Sequence, residues 1–135
     1  MPARYMARIA DGMLTEALAT GGAVQVKGPK WCGKTATSLQ QAASVVYLQD
    51  PDRSASYLAL ADAKPSALLE GRVPRLIDEW QMAPQLWDAV RFAVDLRGEP
   101  GQFILTGSST PTVGGAHSGV GRIAPMVMRT MTLFE

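Results

Sequence analysis

The chain has 135 residues, 47% of them hydrophobic, with a formal net charge of +1 and a single cysteine, enough to bury one core and form one domain over residues 1–135. Its dispersed basic residues give no electrostatic footprint for nucleic acid, and one cysteine without a Cys/His cluster excludes both a disulfide framework and a zinc site. No apolar run approaches the 18 residues of a membrane span and no secretory leader is visible, so a cytoplasmic protein without a membrane partner is expected.

Residues 3–19 read as helix in one or two pieces, the second capped by Asp11. That piece would place Met13, Leu14, Ala17 and Leu18 on one face, and Gly21 and Gly22 would stop it. Residues 23–27 (AVQVK) form a short strand running straight into GPKWCGKT, and residues 34–43 form the helix that leaves it. Val45, Val46, Tyr47 and Leu48 make a second, β-branched and aromatic strand. Residues 55–70 make one or two short helices interrupted before Pro65, and Gly71 ends them. Leu76 and Ile77 form a brief buried strand followed at once by Asp78 and Glu79. Residues 84–95 give the clearest helix, with Pro84 in its first turn and Leu86, Trp87, Val90 and Val94 at helical spacing. After a turn over 97–101, the run FILT predicts a strand covered on both faces. A glycine-rich segment, 110–121, reads as a mobile loop, and residues 126–133 read as a fifth strand. Strands and helices therefore alternate, which predicts a parallel sheet flanked by helices and joined by right-handed crossovers.

The chemistry is concentrated at Gly28, Pro29, Lys30, Trp31, Cys32, Gly33, Lys34 and Thr35, with Ala36 continuing into the helix. This fits G-x-x-x-x-G-K-[ST], a phosphate-binding loop, which a chain of this length matches by chance about one time in two hundred. Glycines at both ends allow successive backbone N–H groups to turn inward around an anion. Lys34 would reach the terminal phosphates and the Thr35 hydroxyl would ligate Mg²⁺. The following helix would point its positive dipole end at the same place. The strand, loop and helix stand in the order such a loop requires.

Asp78 and Glu79 supply a second half. An acidic pair after two apolar residues is ordinarily a solvated strand end. Behind a phosphate loop it reads instead as a metal-holding Asp78 and a water-activating Glu79. Ser108, and after it Thr106, could hydrogen-bond the γ-phosphate or attacking water from the end of the fourth strand. Arg122 and Arg129 are candidates for a charge-stabilising arginine, with Arg122 preferred because it closes the glycine loop. His117 has no visible partner, and Trp31 and Trp87 read as packing residues.

The segments GPKWCGKT, RLIDEWQ, LWDAVRFAVD and GQFILTGSST, followed by HSGVGRI, resemble AAA-family ATP-binding proteins of bacteria and archaea that carry a C-terminal nuclease-like domain. The resemblance implies the AAA+ P-loop fold: a three-layer α/β sandwich whose mainly parallel five-stranded sheet has the order 5-1-4-3-2. It implies ATP and Mg²⁺ as ligands, the roles given above for Lys34, Thr35, Asp78 and Glu79, and an arginine finger at Arg122. That family continues past its fifth strand into a helical lid and the extra domain, so residues 1–135 are expected to hold the ATPase core alone. Ala124 and Pro125 stand where the family tends to be basic, and Pro125 is expected to shorten the fifth strand.

The leading expectation is a Mg²⁺-dependent ATPase that could act as a homo-oligomer or with a protein partner. An ATP-dependent binding switch without useful turnover is the alternative. A small-molecule kinase is disfavoured because no arginine-rich lid follows the fourth strand. One prediction concerns Cys32, which lies near a helix start and two lysines, conditions that favour the reactive thiolate. Mg-ATP should protect Cys32 from alkylation; equal labelling rates with and without nucleotide would refute this.

Overall fold

The computed structural model describes residues 2–28, 33–108 and 123–128, with the side chains of 2–8 and Ser108 excepted. Pro29 to Cys32, the 110–121 segment with His117, Arg122 and Arg129 lie outside the described residues.

Five strands form one sheet: β1 (Ala23–Gly28), β2 (Ser44–Tyr47), β3 (Arg75–Asp78), β4 (Phe103–Ser108) and β5 (Ile123–Val127). Their spatial order is β2-β3-β4-β1-β5 and every pairing is parallel, which is the expected 5-1-4-3-2 arrangement. Among the described residues four helices accompany them: α1 (Pro2–Thr20), α2 (Lys34–Gln41), α3 (Ser54–Ala63) and α4 (Leu86–Arg97). Two 3₁₀ turns, Pro65–Leu69 and Trp80–Met82, follow α3 and β3.

Strand periodicity divides the core into two layers. Val24, Val26, Leu76, Ile104 and Met126 pack on one face with Ala10, Leu14 and Leu18 of α1, and α2 lies against α1 on this side. Ala23, Val46, Ile77, Phe103, Leu105 and Ile123 point the other way, into a larger cluster with α4 and residues from α3 and its 3₁₀ turn. The continuous apolar run of β4 is thus covered on both faces, as its sequence requires. Leu86, Trp87, Val90 and Val94 are all buried, and Trp87 stacks at 5.0 Å from Trp80.

Four expectations change. First, α1 is a single helix through Asp11, so Asp11 caps nothing. Its buried stripe is Ala10, Leu14 and Leu18, an exact i, i+4 series, and this turns Met13 outward. Second, α2 ends at Gln41, where Ala42 adopts extended geometry. Third, Pro84 precedes α4 rather than entering its first turn: its carbonyl accepts from the Trp87 amide in a turn that leads into the helix.

Fourth, β5 begins at Ile123, upstream of the expected 126–133, and Pro125 lies inside the strand. The Met128 amide donates to the Lys27 carbonyl at 2.7 Å. Alternation then aims the amide side of 124 and 126 at β1 and that of Pro125 at the open edge. A proline without an N–H costs nothing in that position.

The start of β1 is sterically closed. A Cβ on Gly22 would stand 2.3 Å from Val94 Cγ1, while the Gly22 carbonyl accepts from the Gln102 and Phe103 amides and cannot easily withdraw. Gly22→Ala should therefore destabilise the fold by about 1–3 kcal/mol through overpacking. Urea denaturation checks this, with Val94→Ala in the same chain expected to recover part of the loss.

Candidate functional site

Because the sheet is parallel throughout, the carboxyl ends of all its strands lie on one side, which is where ligands bind in open α/β sheets. Gly28 closes β1 there and is the register partner of Ser108 at the end of β4. Gly33 has φ 91°, a left-handed conformation that glycine adopts without cost, and it starts α2. Its carbonyl accepts the Thr37 amide at 2.9 Å, so the helix is wound from its first residue.

Lys34 opens α2 with its side chain buried. Among the described residues no carboxylate forms an ion pair with it. A buried ammonium is expensive unless an anion or hydrogen-bond acceptors compensate it. Its position therefore suits a phosphate, and Ala36 continues the helix two residues on.

Asp78 is the meeting point of the site. Its Oδ1 accepts a hydrogen bond from Thr35 Oγ1 at 2.9 Å and another from Thr106 Oγ1 at 2.7 Å. Asp78 and Thr106 are register partners on neighbouring strands and therefore project from the same sheet face. Both follow the parity of Leu76 and Ile104, toward the side carrying α1 and α2. The α2 helix brings Thr35 to that face from 43 residues away. The carboxylate is buried, and the two hydroxyl donors offset the cost of burying its charge.

One carboxylate and one hydroxyl beside a loop of phosphate-binding sequence form a hard-oxygen donor set of the kind that suits Mg²⁺, which keeps several waters and shares its coordination with phosphate oxygens. The residues present therefore fit the ion. Beside Asp78 an open cleft is lined by Tyr47, Gln49 and Asp50 at the ends of β2 and β3.

Glu79 follows in an unusual backbone. Its φ of 60° and ψ of 50° make it the one non-glycine residue with positive φ among those described. The reversal starts the Trp80–Met82 turn, in which the Met82 amide donates to the Glu79 carbonyl at 3.1 Å. It also sends Trp80 into the α4-side core while Asp78 points to the α2 side. Non-glycine residues in this region carry strain and cluster at functional sites. The Glu79 carboxylate is buried and accepts from Gln81 Nε2 at 2.5 Å.

Of the residues marked in the sequence, Thr35, Asp78 and Thr106 are joined directly, with Lys34 and Glu79 adjacent to them in the chain. Thr106 differs from its expected role: its hydroxyl is fully buried and committed to Asp78, which makes it a positioning residue for that carboxylate. Ser108 has only its backbone described. Pro29, Lys30, Trp31, Cys32 and Arg122 lie outside the described residues. Gln81 was missed by sequence reasoning, because a glutamine two residues past an acidic pair belongs to no recognised spacing.

A family model described as an AAA domain matches residues 20–135. The chain belongs to the AAA family. Its architecture agrees, and membership brings a nucleotide-binding, ATPase-like function. No curated protein matches the chain. Among solved structures, the AAA-family chain is similar to C. elegans PCH-2 at 15% identity and a TM-score of 0.43, covering 95% of this chain and 41% of that one. Among the described residues, no helix of this AAA-family chain is long and apolar enough to cross a membrane.

The backbone at Glu79 yields a prediction free of side-chain chemistry. Glu79→Ala and Glu79→Gly remove the same carboxylate, but only alanine must hold the left-handed geometry. Glu79→Gly should be the more stable of the two by about 1 kcal/mol in denaturant titration.

Proposed function

We propose that this AAA core binds ATP with Mg²⁺ and hydrolyses it. The observation that carries the reading is the convergence of Thr35 and Thr106 on Asp78 Oδ1, at the mouth of a loop with phosphate-binding sequence. In this reading residues 28–36 hold the triphosphate, and Lys34 neutralises its terminal charge. Thr35 and Asp78 hold the Mg²⁺, which when bound withdraws charge from the phosphate oxygens.

Glu79 then orients the attacking water and takes its proton. Its left-handed backbone sets it just beyond Asp78, and its burial keeps the carboxylate out of bulk solvent. Thr106 holds the Asp78 carboxylate in one orientation, so the metal ligand needs little rearrangement as the nucleotide arrives. Ser108 is assigned to the γ-phosphate end, supported by its register beside Gly28, and Arg122 to the developing charge on the transferred group. Homo-oligomerisation would allow that arginine to act on a neighbour's nucleotide.

Two substitutions test the assignment. Lys34→Ala should abolish binding of a fluorescent ATP analogue. Glu79→Gln should retain that binding and lose turnover by about 10²–10⁴-fold, the scale of general-base catalysis. Single-turnover phosphate release unchanged in Glu79→Gln would instead favour a nucleotide-operated switch.

A further inference from the structure

We infer that Gln81 is the positioning residue for Glu79 and mechanically links it to the end of β4. The inference rests on the hydrolytic reading of this site and adds a part to it. Three observations converge. Gln81 Nε2 donates to Glu79 Oε1 at 2.5 Å, a bond that spans two residues of a tight turn. Gln81 Oε1 is buried and has no hydrogen-bond partner among the described residues. A Cβ placed on Gly107 would stand 2.4 Å from that same oxygen.

Chemistry fixes which end of the amide faces which neighbour. A carboxylate accepts only, so the NH₂ must face Glu79 and the carbonyl must face Gly107. The amide therefore fills the space that the absent Gly107 side chain leaves open. It lies between the strand position that orients Asp78, Thr106, and the one assigned to the γ-phosphate, Ser108. Trp80 closes the same space, its indole Cδ1 and Nε1 being 3.2 Å from the Gly107 Cβ position. Gln81 is thus confined between a carboxylate and a backbone that cannot retreat. Gln81 engages one lone pair of Glu79 Oε1 and so fixes the orientation in which the carboxylate presents its remaining lone pairs to water. A free carboxylate would sample several rotamers, whereas this one is held.

The arrangement is more than packing because the buried Oε1 has no partner among the described residues. A side chain that only filled space would serve better as methionine, which has similar length and no polar atom to desolvate. What the amide supplies and methionine would not is the bond to Glu79.

Gln81→Met keeps the volume and removes the donor. Relative to the unmodified chain it should lower kcat for ATP hydrolysis by at least about tenfold, with KM and fluorescent-ATP affinity changed less than about twofold, the signature of misorientation after binding. Gly107→Ala, which displaces the amide from the opposite side, should reproduce the kcat loss and add little when combined with Gln81→Met. A second readout needs no turnover. The Gln81 side-chain NH₂ resonance, assigned by its disappearance in Gln81→Met, should be shifted downfield and protected from exchange in the nucleotide-free protein. It should lose both properties in Glu79→Ala. An unchanged kcat in Gln81→Met, or an amide resonance indifferent to Glu79→Ala, overturns the inference. A protected, Glu79-dependent resonance in a protein that binds ATP without hydrolysing it would keep the Gln81–Glu79 link and refute the hydrolytic reading instead.

Discussion

A single carboxylate oxygen, Asp78 Oδ1, ties together three segments that lie far apart in the chain. Thr35 reaches it from the start of α2 and Thr106 from β4. A buried carboxylate with too few donors would be strongly destabilising, so its burial depends on both hydroxyls arriving together. That in turn depends on the register between β3 and β4, which sets Asp78 directly beside Thr106. A slip of one residue would turn the carboxylate toward the apolar α4 side and the hydroxyl away from it. The polar bonds and the alternating apolar residues of the two strands therefore demand the same register. The register that folds the sheet is the register that assembles the Asp78–Thr106 contact.

From that fixed point the chain changes direction within one residue. Asp78 ends a strand on the α2 side of the sheet, and Trp80 is already buried on the α4 side with Trp87. Glu79 carries the turn in left-handed geometry. A glycine would make that turn with less strain. A carboxylate stands there instead, at the bend next to the aspartate proposed to hold the metal, and such strain is characteristic of functional sites.

Much of this was legible in the sequence, because the relevant signals are local. Gly28, Gly33, Lys34 and Thr35 stand at fixed spacing on one loop, and the apolar runs of β1 and β4 declare themselves as strands. The strand order came with the family resemblance. Other features depend on contacts across the fold. In β3 only Leu76 and Ile77 looked like strand, yet the strand starts at Arg75. The Arg75 guanidinium is supported from elsewhere: its Nε donates to the Leu68 carbonyl at 2.7 Å and its Nη1 to Ser44 Oγ at 3.0 Å. Burial there holds the Arg75 pKa below its ordinary value, through desolvation. Gln81 was invisible for a related reason: its meaning lies in the missing Cβ of Gly107, 26 positions later. The start of β5 was misplaced because a proline reads as a strand breaker until the strand is known to lie at an edge.

That edge proline has a consequence for how copies of this chain could meet. Sheets extend by offering a row of amide and carbonyl groups to a new strand, and among the described residues β5 is bonded to β1 alone. At the middle of its outer side stands Pro125, exposed and without a proton to donate. A strand approaching from solvent would lose a rung of the ladder at the centre of a five-residue strand. Pro125 therefore disfavours growth of the sheet beyond β5. Assembly along that flank would have to be built from side chains, whose contacts can loosen and re-form without unzipping a backbone.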